Sequence, residues 1–329
     1  MCGQSRLQNA QQRNQAKNSG RGHIHRHDAE LAHTAELEMM MDRRHLEDAL
    51  AARFLEIGHL NHDRQAAHEH PECDQHQNQR LTQQHGRSNH RTADEHGARI
   101  RRDLEGEGIY TGAMQIRKDC SSSIAYCWIE KATGKRSIAW ARGNFAELSG
   151  DEVNLELIRK AKIVHFDGHN PQGAIAAAKE ARQHGVIVSL DAGTLRPEIK
   201  DLLPYVTILI ASEDFARCYT GEEDLEKALL KLGENGSEVT GITMGCKGSM
   251  VLENGKAVYC PAFKIQAVDT TGAGDVYHGA FAVRYCETRD LRESMLFASA
   301  VSALKCLKPG GRTGIPTRAE VEKFLAENA

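Results

Sequence analysis

Residues 162–260 repeat a short apolar run followed by a helical stretch, and this repeat constrains the fold more than any other feature of the sequence. The apolar runs, which predict strands, are 163–166, 186–190, 206–210 and 239–244. The predicted helices span 171–184, a short stretch that ends at Tyr219, and 222–232. Apolar runs that alternate with helices are typical of a parallel sheet covered on both faces. The sequence therefore predicts an α/β fold with a doubly wound, mostly parallel sheet. Ligands of such sheets bind beyond the carboxyl ends of the strands, where we expect Asp191, Ser212, Thr243 and Asp275.

The first 93 residues have a different composition from the rest of the chain. They contain no Val, Tyr or Trp, their only Phe is Phe54, and they hold 12 of the 17 histidines. Strands use β-branched and aromatic residues, so we expect segment 1–93 to be irregular or disordered apart from one amphipathic helix near 35–60. Its histidines lack a Cys or carboxylate framework at defined spacing, so a metal site there is the weaker interpretation.

Regular patterns begin at Asp94, and one domain is predicted over 94–329. A helical stretch that ends at Gly106 or Gly108 is followed by three alternating stretches, at 110–116, 122–130 and 136–141. Alternation predicts strands, and a turn is expected at 133–135. The sequence therefore predicts a small antiparallel flap over about 108–141.

The overall composition narrows the classes of function. The formal net charge of -3 gives no sign of a nucleic-acid partner. No apolar run approaches the roughly 20 residues that a membrane span needs, so no membrane is expected as a partner. Nine cysteines without any C-x-x-C pair indicate reduced thiols and a cytoplasmic protein.

The stretch 267–280 combines an anion site with an acid. Gly272, Ala273 and Gly274 carry almost no side chain, so an anion can approach their backbone N–H groups at the start of a predicted helix. Asp275 would be disfavoured beside a phosphate unless it takes a proton from an attacking hydroxyl. This combination indicates phosphoryl transfer. The alternative is a plain turn that leads into a capped helix.

Three stretches together resemble the C-terminal signature of the PfkB (ribokinase-like) carbohydrate kinases, nearest the ketohexokinase and sulfofructose kinase branches. They are the run Asp-Thr-Thr-Gly-Ala-Gly-Asp at 269–275, which continues to Ala280, and the stretches 303–306 and 309–316. The resemblance covers about 94–329. It implies a ribokinase-like fold with the flap as a lid over the sugar, ATP and Mg²⁺ as cofactors, and Asp275 as the general base beside an anion hole at Gly272–Gly274.

The resemblance also assigns binding residues. It implies a nucleotide site formed by Thr243, Gly245, Lys247, Gly248, Ser212, Ala300, Ala303 and Gly311. The alternatives are a simple hairpin with a solvated lysine at 243–248, and close helix packing at the two alanines. The resemblance implies a monovalent cation such as K⁺ at Asp269 and Thr271, although a turn-stabilising Asp is equally compatible with the sequence.

Substrate contacts are predicted for Asp275, Arg142 and His278, with an exposed arginine and a helix-packing histidine as the alternatives. The family often shows Asn-x-x-Glu after the strand at 206–210, and Ser212 and Phe215 occupy those two positions here. Glu213 or Asp214 is then the candidate ligand of hydrated Mg²⁺.

Segment 1–93 lacks both the Gly-Gly-x-x-x-Asn motif and the sugar-binding Asp that the resemblance leads us to expect. A frameshifted upstream reading frame is one explanation, and it predicts a weak or inactive kinase. The leading hypothesis is ATP-dependent phosphorylation of a sugar, in a monomer or a homodimer. The alternatives are a non-catalytic nucleotide-binding remnant and a nucleoside kinase on the same scaffold.

Overall fold

The computed structural model describes residues 91–92, 94–129 and 136–328, which all belong to one compact unit. The predictions for residues 1–90, including the helix near 35–60, and for the turn at 133–135 lie outside these residues. One correction falls at the boundary, because Arg91–Thr92 forms a short strand, β1, inside the segment predicted to lack strands.

The segment after β1 contains less strand than the sequence predicts. Helix α1 spans Glu95–Gly106, and the carboxylate of Asp94 accepts a hydrogen bond from the Gly97 N–H at its start. The prediction of a strand over 110–116 was wrong, since only Ile116–Arg117 pairs, as β2, with β1 in parallel. The chain turns at 111–113 instead, and a Cβ on Gly112 would collide with the Tyr110 ring.

The antiparallel flap is confirmed for its second and third stretches. Strand β3, Ile124–Ile129, pairs antiparallel with β4, Arg136–Ala141. Both tryptophans of the chain lie on this pair, Trp128 on β3 and Trp140 on β4, and each is about two-fifths exposed (40% and 43%).

The main sheet has six strands and confirms the predicted α/β class. In chain order they are β5 Ile163–Phe166, β6 Ile187–Ala192, β7 Ile208–Ser212, β8 Val239–Thr243, β9 Ser249–Glu253 and β10 Lys256–Cys260. Their order across the sheet is β10-β9-β8-β7-β6-β5. Strands β5 to β8 run parallel, whereas β9 and β10 are antiparallel to their neighbours.

Helices cover both faces of this sheet. The helices before and between its strands are α2 Leu155–Lys160, α3 Pro171–Gln183, α4 Ile199–Leu202, α5 Glu213–Thr220 and α6 Leu225–Gly233. Three more helices follow β10: α7 Ala273–Thr288, α8 Leu291–Cys306 and α9 Arg318–Glu327. Within this described part of the chain, none is long and apolar enough to cross a membrane.

Successive side chains of β7 point alternately into two hydrophobic layers, one on each face of the sheet. Leu209 points into the layer that contains Phe215 of α5 and Leu229 of α6. Ile208 points into the opposite layer, which contains Phe281 of α7. Burying each such side chain contributes about 1.5–3 kcal/mol, so the doubly wound arrangement follows from the apolar runs themselves.

Strand β5 is the edge of the sheet within the described residues. All four of its residues are half-buried, whereas Ile208–Ala211 of β7 are fully buried. The run 163–166 was predicted to be a buried strand. The structure confirms the strand but shows its residues to be half-buried. The carboxyl ends of β5 and β6 therefore meet near the sheet edge.

Candidate active site

The start of α7 is open on the side where an anion was predicted to bind. Gly272 has a φ of 78° and precedes the helix, a conformation that favours glycine. Gly274 is exposed, and a Cβ placed on it would meet no other element within 4 Å. The Ala273 N–H donates to the Thr270 carbonyl at 3.2 Å, so it is used inside the turn. Asp275 is half-buried in the first helical turn.

Asp269 links its own loop to the loop at Gly310 through hydrogen bonds. Its side chain is fully buried and accepts hydrogen bonds from the backbone N–H of Thr271 at 2.8 Å and of Gly310 at 2.7 Å. Its carbonyl oxygen accepts from the Lys305 ammonium at 2.9 Å. The structure therefore shows Asp269 as a turn-stabilising residue. The Thr271 hydroxyl is buried and has no hydrogen-bond partner in the described part of the chain.

The predicted adenine site lies where α8 packs against its neighbours. Ala300 is fully buried in a cluster with Val276 of α7 and Val321 of α9, and Ala303 is 7% exposed. Gly311 is also buried. Close packing accounts for both alanines, and their contact with an adenine ring stays a prediction.

Residues 243–248 form a hairpin connection. The Met244 N–H donates to the Gly248 carbonyl at 2.8 Å, which joins β8 to β9 through a tight turn at Gly245–Lys247. Gly245 has a φ of 57° and open space at its Cβ position. Gly248 has a φ of 110°, and a Cβ there would collide with the Cys260 carbonyl. The Thr243 hydroxyl lies 3.4 Å from the Ala211 carbonyl oxygen. The phosphate contacts of this turn stay a prediction.

Lys247 and Glu213, which were predicted to contact the nucleotide and Mg²⁺, pair with each other. The Lys247 ammonium lies 3.3 Å from the Glu213 carboxylate, which also pairs with Arg217 at 3.6 Å. Ser212 caps α5, because its hydroxyl accepts from the Phe215 N–H at 3.0 Å. The hydroxyl itself donates to a backbone carbonyl at 2.9 Å. Ser212 and Glu213 thus have structural roles, and the ligand contacts predicted for them stay predictions.

A largely half-buried polar cluster adjoins Asp275 at the carboxyl ends of β5 and β6, and His278 is its one buried member. We name it the acceptor-side cluster; its members are Asp167, His169, Asp191, Arg196 and His278. His278 Nε2 lies 3.2 Å from Asp191 Oδ1. The His169 N–H donates to Asp167 at 2.9 Å, and the Arg196 guanidinium lies 3.4 Å from His169 Nε2. Sequence reasoning assigned a role only to His278 and placed Asp191 at a strand end. The other three were missed, although all follow strands β5 and β6 closely.

Burial sets the charge of this cluster. Burial, and then the charge of Asp275, raise the pKa of Asp191 to about 8. Burial lowers the pKa of His278 to about 4, although Asp275 opposes this. Burial likewise raises the pKa of Asp167 to about 8. Both shifts favour the neutral forms of Asp191 and His278 at neutral pH, so the 3.2 Å contact between them is not an ion pair of two charged groups.

Arg142 lies at the margin of the acceptor-side cluster. Its side chain is 59% exposed and pairs with Glu147. After burial and the charge of Arg196, the charge of Arg142 helps to lower the pKa of His169 to about 4. Arg142 is therefore the exposed arginine of the alternative interpretation, yet it lies within electrostatic reach of the cluster.

Replacing Asp191 with Asn should flatten the dependence of stability on pH. Native Asp191 keeps its proton up to a pKa of about 8, whereas an unfolded Asp loses it near 3.8, so stability falls as pH rises between these values. The histidines oppose this only below 6.5, their unfolded pKa. Between 6.5 and 8 we expect the wild-type free energy of unfolding to fall by up to about 1.4 kcal/mol per pH unit for each buried carboxyl.

Denaturant unfolding at several pH values measures this slope. Asp191→Asn should lower it by the contribution of one carboxyl and leave that of Asp167. An unchanged slope in the variant would show that Asp191 is ionised in the native protein.

Sequence and structure comparisons identify the family. The sequence profile of the pfkB family carbohydrate kinases matches residues 92–318. The chain is 30% identical over 244 residues to a ribokinase from Haemophilus influenzae, covering 71% of this chain and 78% of the relative. It is 27% identical to fructokinase-1 from Zea mays, covering 70% and 80%. The chain therefore belongs to the pfkB family of carbohydrate kinases, which confirms the resemblance at the level of the family.

Solved structures agree with this assignment. Ribokinase from Arabidopsis thaliana, complexed with ribose and ATP, superposes with a TM-score of 0.62 at 29% identity, over 72% of this chain and 80% of the other. Ribokinase from Thermotoga maritima gives a TM-score of 0.61 at 26% identity, over 72% and 80%. These likenesses confirm the ribokinase-like fold.

Proposed function

We propose that this protein transfers the γ-phosphoryl group of ATP to a hydroxyl of a sugar, with Asp275 as the general base. The observation that carries the proposal is the position of Asp275. It lies in the first turn of α7, next to the open surface at Gly274 and within electrostatic reach of Asp191 and His278 in the acceptor-side cluster. One side chain thus adjoins both a surface suited to phosphate and polar groups suited to hydroxyls.

The start of α7 suits the phosphate that is transferred. The first N–H groups of a helix have no acceptor within the helix, and the helix dipole favours negative charge there. The open face of Gly274 lets phosphate oxygens approach this backbone closely. In this proposal the N–H of Gly274 stabilises charge that develops during transfer, while Asp275 accepts the hydroxyl proton.

The acceptor-side cluster suits a neutral polyhydroxyl compound. The neutral Asp191 and His278 pair can both donate and accept hydrogen bonds, as sugar hydroxyls require. We propose that Arg142 and the flap β3–β4 lie above this cluster. The complex of Arabidopsis ribokinase with ribose and ATP supports the same pair of ligands.

ATP and Mg²⁺ are the proposed cofactors. Mg²⁺ commonly binds through one or two carboxylates and the nucleotide phosphates, and among the described residues no group of three metal-ligating side chains occurs. Glu213 is the proposed ligand because its carboxylate is 24% exposed, and its pairings with Lys247 and Arg217 would loosen when the metal binds. Such a metal would neutralise phosphate charge; Glu213 would hold the metal, and the turn at Gly245 would hold the nucleotide.

Turnover of ATP with a panel of acceptors tests the proposal. Purified full-length chain is mixed with Mg²⁺ and ATP, and release of ADP is measured with ketoses, aldoses and nucleosides in turn. The proposed function predicts turnover that depends on a sugar. Turnover with nucleosides alone would indicate a nucleoside kinase. ATP binding without acceptor-dependent turnover would indicate a non-catalytic nucleotide-binding protein.

A further inference from the structure

Lys305 is buried where a lysine would ordinarily be solvated. It lies in the last turn of α8, where its side chain has no exposed surface. Its ammonium donates to the carbonyl oxygen of Asp269, a residue whose carboxylate is also fully buried. Lysines are almost never fully buried unless their charge is paired, and burying the charge costs free energy otherwise. The fully buried Lys305 side chain therefore needs a partner, and the Asp269 carbonyl supplies one.

The C-terminal end of α8 is hydrogen-bonded to the loop that precedes α7. The Cys306 carbonyl accepts from the backbone N–H of Val268 at 2.8 Å and of Asp269 at 3.2 Å. The Ser302 hydroxyl donates to the Ala273 carbonyl at 2.8 Å. With the Lys305 ammonium, α8 thus holds both sides of the turn that presents Gly274 and Asp275.

A second loop joins at the same point. The Gly310 N–H donates to the Asp269 carboxylate. Gly314 packs against the Lys305 carbonyl so closely that a Cβ would collide with it. The Lys305 ammonium therefore lies at the junction of α8, the loop at 268–272 and the loop at 308–316.

A K⁺ bound at the Asp269 carbonyl would compete with the Lys305 ammonium for the same oxygen. Both carboxylate oxygens and the carbonyl oxygen already accept hydrogen bonds, from Thr271, Gly310 and Lys305. Cations of this hard type bind through oxygen atoms. Each of these oxygens keeps a second lone pair, but a cation at the carbonyl oxygen would lie next to the Lys305 ammonium, which is already 2.9 Å from that oxygen.

We infer that the Lys305 ammonium is a built-in substitute for a monovalent cation at Asp269, so that the loop before α7 keeps its shape without K⁺. Lys305 is then a positioning residue for Gly274 and Asp275 through Asp269 and Ala273. The importance of this for catalysis rests on the proposed function, whereas the cation independence of the fold does not.

Thermal unfolding in different salts tests this inference without any substrate. The full chain is melted in KCl and in choline chloride of equal ionic strength, with far-UV circular dichroism as the signal. The wild-type Tm should be the same in both salts, because no site gains K⁺ on folding. A wild-type Tm that is several degrees higher in KCl would overturn the inference, and this comparison needs no variant.

Two substitutions of Lys305 separate the effect of its charge from the effect of the volume that its side chain fills. Lys305→Met keeps the length of the side chain and removes the ammonium, and it should lower the Tm by about 10 °C in either salt. Lys305→Ala also leaves a space lined by the Asp269 carbonyl. We expect KCl or NH₄Cl, but not choline chloride, to restore several degrees of Tm to Lys305→Ala and none to Lys305→Met.

The control is Lys227→Met on the exposed face of α6, which should melt like the wild type in every salt. A Lys305→Met protein that melts like the wild type would overturn the inference. Failure of K⁺ and NH₄⁺ to raise the Tm of folded Lys305→Ala would do so as well, since the ammonium would then be a packing group rather than a substitute cation. A lack of sugar kinase activity would contradict the proposed function alone.

Discussion

Asp275→Asn is expected to lower kcat with the best sugar by about 10²–10⁴-fold, the usual contribution of positioned proton transfer. Asn keeps the size of the side chain but cannot accept the hydroxyl proton. Because the open surface at Gly274 is unchanged, the Kd for ATP should stay nearly the same. Initial rates of ADP release and equilibrium binding of ATP measure the two quantities separately.

Asp201→Asn is the matched control for Asp275→Asn. Asp201 is an exposed residue of α4 that belongs neither to the start of α7 nor to the acceptor-side cluster, so its substitution should leave kcat and Kd unchanged. If Asp275→Asn retained a kcat near that of the wild type, Asp275 would not be the base. The acceptor-side cluster would then have to supply another proton acceptor.

Gly274→Val should weaken ATP binding and lower kcat by about 10²-fold, comparable to the loss of one donor from an oxyanion hole. The branched side chain occupies the surface that phosphate must approach. Stability should change little, because a Cβ at Gly274 meets no other element within 4 Å and valine is no worse than glycine inside a helix. ATP titration and thermal melting of the same protein provide both results.

Gly314→Ala is the contrasting glycine substitution. Its Cβ would collide with the Lys305 carbonyl, so we expect a loss of about 1–3 kcal/mol of stability from overpacking. If Gly274→Val lowered the Tm as much as Gly314→Ala does, its loss of activity would reflect unfolding. The loop before α7 would then be only a turn.

The main sheet could be predicted from sequence because its signals are local. Each strand from β5 to β8 is an apolar run, and each is followed by a helix or a turn that begins with a polar or small residue. The stretch 110–116 shows the limit of this reasoning. Its alternation resembles that of a strand, yet Tyr110 is 64% exposed, and no neighbouring strand pairs with 110–115 in the described residues.

The candidate site likewise has residues that local sequence patterns predict and residues that they do not. Asp275 and Gly274 were placed correctly at the start of a helix because one continuous motif contains both. The contact between Asp191 and His278 joins β6 to α7 across a long separation in sequence, which a single sequence does not report. Lys305 was missed because a lysine in the last turn of a helix is usually a solvated partner of the helix dipole. Only its packing shows that it is buried.

The flap described above makes tryptophan emission a selective probe of this protein. Because Trp128 and Trp140 are the only tryptophans of the chain, the fluorescence spectrum reports the surroundings of β3 and β4 and is silent about the main sheet. A shift of emission on adding a sugar would register movement of the flap directly. Denaturation followed by fluorescence and by circular dichroism would in turn show whether flap and sheet melt as one cooperative unit, since coincident transitions are the mark of two-state unfolding.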